Sequence, residues 1–270
     1  MKIVEDFKFN KNFGQNFISD KNLLNAIVKD SGISSCDEVL EIGTGAGTLT
    51  QAISETAKKV VSFEIDKKLT EFLAKKFENN KKVEIIMGDA LKLPIEEIEN
   101  HFSKDYYIIA NLPYYITTPL IFKFLEQTNR AKSITIMVQR EVAEKIVAEP
   151  NTNNYGILSV MLSHYCDCKI TRIVKKQMFF PRPKVDSAII KLTRKSEVIF
   201  DKNFANFVSG CFAMKRKILL NNLLKIGYTK SNIEKTFDCQ NLSLQIRAES
   251  LLVDNFRQLY SNLEQNKKNN

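Results

Sequence analysis

The stretch Val39-Leu40-Glu41-Ile42-Gly43-Thr44-Gly45-Ala46-Gly47-Thr48-Leu49-Thr50 decides the fold. A short apolar run ends in three glycines at alternate positions, and helix-forming residues follow. That pattern reads as a buried strand turning sharply into a helix, with backbone bare enough for a ligand to lie against it. A dinucleotide fold spaces its glycines G-x-G-x-x-G, so that a pyrophosphate sits on the helix N-terminus. Here the spacing is G-x-G-x-G, and Glu41 stands inside the preceding strand. A carboxylate there repels a pyrophosphate but suits a ligand with a cationic amino-acid tail, such as S-adenosylmethionine. An ordinary glycine-rich turn of an α/β protein is the plainer alternative for these residues alone.

The rest of the chain bounds the reading. Its 270 residues, 44% hydrophobic and 26% charged, suit a globular protein of one large domain, or a large one plus a small one. No apolar run approaches the ~20 residues of a membrane span. Acids at Glu5 and Asp6 stand where a signal peptide needs an apolar core, so a cytoplasmic location is expected. Five scattered cysteines suit a reduced compartment. His164, Cys166 and Cys168 alternate as strand residues do, with no second ligand cluster, so no metal is expected. A net charge of +9 favours a polyanionic partner, although a lysine-rich coding bias would also produce it.

Working outward, Phe7 to Ile18 interleave aromatic residues with lysine and amides, which suggests an ordered lid or a nucleic-acid contact. Ser19-Asp20 starts a helix that runs to about Asp30. Strands are expected at Glu38–Ile42, Val60–Glu64, Val83–Met87, Tyr106–Ala110 and Ser133–Val138, with helices at Leu49–Glu55, Lys67–Asn79 and Thr118–Thr128 between them. Glu141–Ala148 and Tyr155–Leu162 read as further helices, and Tyr165–Val174 and Val185–Leu192 as strands that complete the sheet. In such sheets ligands bind beyond the carboxyl ends of the strands. The second strand ends in Glu64, where an acid can accept from both ribose hydroxyls, and the third is followed by Gly88-Asp89, where a carboxylate can hold an adenine amino group.

The fourth strand ends in Asn111-Leu112-Pro113-Tyr114, the most specific signal in the chain. An exocyclic amine is a poor nucleophile because its lone pair is delocalised into the ring. An Asn oxygen and a neighbouring backbone carbonyl can accept its two N–H groups and turn the lone pair toward a methyl donor. Pro113 fixes the turn so that both acceptors converge, and the Tyr114 ring offers a stacking surface worth ~1–3 kcal/mol.

From these residues the chain resembles the KsgA/Dim1 family of small-subunit rRNA adenine-N6,N6-dimethyltransferases. The matching motifs are Gly14-Gln15-Asn16-Phe17-Ile18, the loop Glu41–Gly47, Glu64, Gly88-Asp89 and Asn111 through Pro119. They continue with Phe179-Phe180-Pro181-Arg182-Pro183-Lys184-Val185-Asp186-Ser187, Arg216-Lys217 and Asn221-Asn222-Leu223. Thr44 stands where the family usually has Pro, which should relax the loop, and Ile18 where it usually has Leu. The resemblance implies a Rossmann-like seven-stranded α/β methyltransferase sheet with one antiparallel edge and S-adenosylmethionine as cofactor. It assigns the cofactor to Asn16, Ile18, Gly43, Gly45, Glu64, Asp89 and Asn111. It assigns the target base to Asn111, the Leu112 carbonyl, Pro113, Tyr114 and Phe179, with the Phe179 ring closing the second face of a flipped adenine.

Domains are expected at 1–195 and 196–264, the second small and all-helical, with a disordered tail at 265–270. In the helical part, Phe204, Phe207, Val208, Cys211 and Phe212 share a face, Gly227 ends an element, and Ser231 with Glu234 forms a capping box. Arg247–Leu263 reads as the last helix. Lys215, Arg216 and Lys217 are candidates for RNA phosphates, or else a solvated helix face. The resemblance implies transfer of methyl groups to two adjacent adenines in the 3′-terminal hairpin of 16S rRNA, by a monomer acting on the assembling small subunit. The alternatives are a 23S rRNA adenine dimethyltransferase conferring macrolide resistance, and a non-catalytic assembly or nucleic-acid-binding factor.

Overall fold

Strands that read as unbroken apolar runs belong where both faces are covered. β2 (Glu38–Ile42) is buried at every position, two glutamates included. In this computed structural model, which describes residues 17–18 and 20–268, β2 pairs in parallel with β3 (Lys59–Glu64) on one side and β5 (Tyr106–Ala110) on the other. β4 (Val83–Met87) extends the sheet beyond β3, and β6 (Ala131–Gln139) extends it beyond β5. The parallel strands are linked by α2 (Thr48–Thr56), α3 (Thr70–Phe77), α4 (Ile95–Glu99) and α5 (Tyr114–Gln127), and α6 (Arg140–Ile146) follows β6. α1 (Lys21–Ser31) precedes the sheet, starting from Asp20, whose carboxylate accepts from the Leu23 N–H at 3.0 Å. It buries Leu24, Ile27 and Val28 in a cluster with Val39, Leu49, Ile53, Val60 and Ile109. Each such side chain is worth ~1.5–3 kcal/mol.

Seven strands form the sheet, in the order β4-β3-β2-β5-β6-β9-β7. β9 (Ser187–Arg194) runs antiparallel to β6, and β7 (Cys166–Val174) takes the edge. The antiparallel strand expected at the edge is therefore one place in. Burial gives the reason: the first four residues of β9 are all buried, whereas β7 is exposed or half-exposed along most of its length. A second, two-stranded sheet pairs β1 (Phe17–Ile18) antiparallel with β8 (Phe179–Phe180), Ile18 opposite Phe179. Asn16 and the segment before it lie outside the described residues.

α5 begins at Tyr114 rather than Thr118. Pro113 caps it, with φ −54°, and Pro119 is carried inside the helix. The Lys67–Asn79 helix divides into a 3₁₀ turn at Lys67–Leu69 and α3.

The chain divides into two compact units, 1–143 with 169–194, and 144–168 with 195–270. The boundary expected near 195 left 144–168 with the first domain. The difference arises within the second unit, where the His164 ring packs at 4.6 Å on Tyr165 and 4.7 Å on Phe204. Its helices are α7 (Ile157–Tyr165), α8 (Lys202–Cys211), α9 (Leu219–Lys225), α10 (Lys230–Cys239) and α11 (Val253–Lys268). α8 buries Phe204, Phe207, Val208 and Cys211, and Phe212 stacks on Phe256 of α11 at 5.5 Å. α10 is capped by Thr229, whose side chain accepts from the Asn232 N–H, so the capping box expected at Ser231 and Glu234 does not form. α11 continues to Lys268, past the residue 265 at which disorder was expected. Among the described residues no helix is long and apolar enough to cross a membrane, and no cluster of His, Cys, Asp and Glu could hold a metal ion.

His164 gives the second unit a pH dependence. Burial, and then the Arg257 guanidinium 3.0 Å from Nε2, push its pKa from 6.5 down to about 4. The unfolded chain takes up a proton that the folded one refuses. The stability this ring contributes is complete above pH 6.5 and is lost as pH falls toward 4. Wild type should therefore lose more of its urea midpoint between pH 7.5 and 5 than His164→Gln does; equal losses would remove the ring from the account.

Candidate active site

Parallel pairing puts the carboxyl ends of the strands side by side. Ile42 is in register with Phe63 and with Ala110, so Gly43, Glu64 and Asn111 leave their strands together. Gly43, Gly45 and Gly47 all take left-handed φ values of 84°, 54° and 69°. At Gly43 space matters as well: a Cβ would lie 2.8 Å from Leu112 Cδ2. The Gly43 N–H donates to the Phe63 carbonyl at 2.8 Å, which ties the loop to β3.

Glu64 is almost fully buried, and its carboxylate accepts from the Gly45 N–H at 2.7 Å and the Asp66 N–H at 2.8 Å. Asp89 accepts from the Leu91 N–H at 3.0 Å. The loop after Asp89 is held from α5, where the Lys123 ammonium donates to the carbonyls of Leu91 and Leu93. These segments enclose a cavity of about 250 Å³. Of the residues singled out from sequence, Gly43, Gly45, Glu64, Asp89, Asn111, Leu112 and Pro113 all line it.

Three others do not. Tyr114 is half-buried and its hydroxyl is hydrogen-bonded to Ser187 Oγ at 2.7 Å. Phe179 is 5% exposed and packs in the core cluster with Leu24 and Ile189. Glu41, read as a partner for a cationic tail, is fully buried away from the cavity. Its Oε2 accepts from Thr50 Oγ1 and Ser62 Oγ, each at 2.6 Å, and Oε1 has no hydrogen-bond partner among the described residues. Burial raises its pKa to about 7 and the Glu64 charge adds to this, although hydrogen bonds from Ser62 and Thr50 oppose the rise. Ser62 Oγ also meets Thr44 Oγ1 at 2.6 Å. Thr44 thus does not loosen the loop: its buried hydroxyl joins a chain, Thr44–Ser62–Glu41–Thr50, that pins the loop to β3 and α2. Sequence reasoning passed over Ile65, Leu91 and Tyr115, which also line the cavity. Their one signal is position, since Ile65 and Leu91 closely follow the strand-end acids Glu64 and Asp89, and Tyr115 follows the Asn111 turn.

In the second unit, Lys215, Arg216 and Lys217 are all exposed on a turn between α8 and α9, not on a helix face. The turn is fixed from beneath. Buried Asn222 accepts from the Met214 N–H at 2.9 Å, and Arg247 donates to the Lys215 carbonyl at 2.6 Å.

Seven strands in this order, their ends converging on a glycine-rich loop, give the chain a Rossmann-like methyltransferase fold. Solved structures agree. A dimethyladenosine transferase from Plasmodium falciparum superposes with a TM-score of 0.78 at 29% identity, covering 94% of this chain and 98% of that one. The 23S rRNA methyltransferase ErmE gives 0.72 at 25% identity, covering 92% and 100%. The sequence model of the ribosomal RNA adenine dimethylase family matches residues 6–265, and the chain belongs to that family. Ribosomal RNA small subunit methyltransferase A of Clostridium botulinum (strain Langeland) is 43% identical over 258 residues, 94% of each chain. The protein of the same name from Clostridium acetobutylicum is 38% identical over 264 residues, 96% of this chain and 95% of its own.

Ser62→Ala should cost about 1–3 kcal/mol, because it strips a hydrogen bond from a buried carboxylate. Urea unfolding checks this, and a midpoint equal to wild type would show that the Thr44–Ser62–Glu41–Thr50 chain does not hold the loop.

Proposed function

We propose that this protein transfers methyl groups from S-adenosylmethionine to N6 of two adjacent adenines in the 3′-terminal hairpin loop of 16S rRNA, giving N6,N6-dimethyladenosine. It acts as a cytoplasmic monomer on the assembling small subunit. The observation that carries this reading is that Asn111, Leu112 and Pro113 line the same cavity as Glu64, Asp89 and the glycine loop. Support for the small-subunit substrate is the end-to-end match to relatives named as small-subunit methyltransferases.

The residues fit the cofactor. Bare backbone at Gly43 and Gly45 admits its amino-acid tail, Glu64 suits ribose hydroxyls, Asp89 suits an adenine amino group, and Ile65 and Leu91 offer apolar cover. When bound, the sulfonium supplies an electrophilic methyl group with its leaving group already attached. The protein's part is orientation and electrostatics. Asn111 Oδ1 and the Leu112 carbonyl accept the two N–H groups of the target amine, which directs its lone pair at the methyl. Pro113 holds both acceptors in place with its fixed φ of −54°. After transfer the amine sheds its proton to water, so no general base is required. The base must leave its stack, which costs a few kcal/mol and least in a loop that is already single-stranded. Asn16, Ile18, Tyr114 and Phe179 stay in the proposal as residues that complete the cofactor and base sites.

Asn111→Ala should lower methyl transfer by about 10²–10³-fold, on the scale of losing one preorganised hydrogen-bonding group, with unfolding unchanged. Transfer at the wild-type rate would remove Asn111 from the mechanism. Labelled cofactor offered to unmethylated small subunits and, separately, to 23S rRNA tests the substrate. Label in the large-subunit RNA alone would move the protein to the resistance branch, and label in neither would favour an assembly factor. Replacing Lys215, Arg216 and Lys217 together by Ala should flatten the slope of log affinity against log salt by about 2. An unchanged slope would return the turn to a solvated surface.

A further inference from the structure

Tyr115 stands apart among the aromatic side chains. It is 70% exposed, and no other aromatic residue among those whose burial is described falls in the exposed class. Among the described residues its ring has no stacking partner and its hydroxyl no hydrogen bond. It nevertheless lines the cavity that holds Asn111, Glu64 and Asp89. The neighbouring aromatic groups are held by protein partners: the Tyr114 hydroxyl is hydrogen-bonded to Ser187, and Phe179 packs in the core cluster.

Leaving an aromatic ring in water forgoes the stabilisation that burial gives. Backbone geometry fixes where this one sits. Tyr115 is the second residue of α5, two positions after Pro113, which as cap sets the direction of that first turn. The ring is therefore held at the rim of the cavity on a 14-residue helix, not on a mobile loop. A flat apolar surface at the rim, with a phenol edge in water, is what a second unstacked base needs. Stacking of this kind is tolerant of base identity, because every base has a π-face.

We infer that Tyr115 is a substrate-positioning residue: its ring stacks on the nucleotide next to the target adenine and holds the opened RNA loop at the cavity rim. This rests on the proposed methyl transfer to two adjacent adenines. It deepens that reading, because one ring at the rim can hold whichever adenine of the pair is not in the cavity. The base lost from its own stack is then re-stacked on protein, and no new hydrogen bond is needed.

The test uses the full-length protein with unmethylated small subunits and labelled cofactor. Wild type must first transfer label; if it does not, the proposed function fails and Tyr115 is not at issue. Given transfer, Y115A should raise KM for the subunit about tenfold, within the range of one lost base stack, while cofactor affinity measured by calorimetry is unchanged. Y115F and Y115W should restore KM, since only the ring is needed. Subunits reconstituted with 2-aminopurine beside the target should show quenched fluorescence with wild type and Y115W, and much less quenching with Y115A. Three results would overturn the inference. They are a KM unchanged in Y115A, quenching equal in Y115A and wild type, or a loss of cofactor affinity that accounts for the whole effect, which would make the ring a cover for the cofactor.

Discussion

Everything at the site depends on how closely two strand exits approach. The chain leaving β2 and the chain leaving β5 are so near that a single carbon added at Gly43 would lie 2.8 Å from Leu112 Cδ2. Parallel pairing of β2 with β5 sets this spacing, and the Gly43 N–H, by donating to Phe63, ties the same exit to β3. A ligand resting on the glycine loop is thereby placed within reach of the Asn111 turn. In the proposed reaction the methyl donor and the amine that receives the methyl would share this one cavity, because three backbone segments converge on it.

Polar groups in the interior then serve the loop. Glu64 accepts from two backbone N–H groups, so the residue proposed to hold the ribose also braces the glycine-rich turn. Glu41 does related work from the buried side through Ser62 and Thr50. Such networks stabilise when their members are satisfied and cost free energy when they are not. One oxygen of Glu41 has no partner among the described residues, and burial, with the Glu64 charge, raises the proton affinity of the carboxyl group. Rigidity at the loop thus rests on a carboxyl group buried beneath it.

Much of this was legible in the sequence, for local reasons. β2, β4 and β5 begin and end where their apolar runs do, and the acids closing β3 and following β4 meet at the cavity as expected. What was not legible depended on direction or on distant pairing. Successive strand residues point to opposite faces, so Glu41, though close to the loop in sequence, faces Thr50 and Ser62 and not the ligand. Neighbours in a helical turn diverge by about 100°, and so Tyr115, not Tyr114, lines the cavity. Thr229 takes the cap assigned to Ser231 because the helix starts two residues earlier than the motif suggested. The place of β9 inside the sheet follows from its burial against β6, which no local pattern records.

That place for β9 constrains how the chain can be assembled. The last strand of the sheet in sequence is not an edge but the link between β6 and β7. During synthesis β7 emerges before β9 and has no strand to join, and the β6 edge stays open until residues 187–194 have been made. Only then can both gaps close in one step. An unpaired strand edge is a template for mispairing with another chain. Between completion of β6 and completion of β9 the nascent protein therefore carries an open β6 edge that the finished sheet covers.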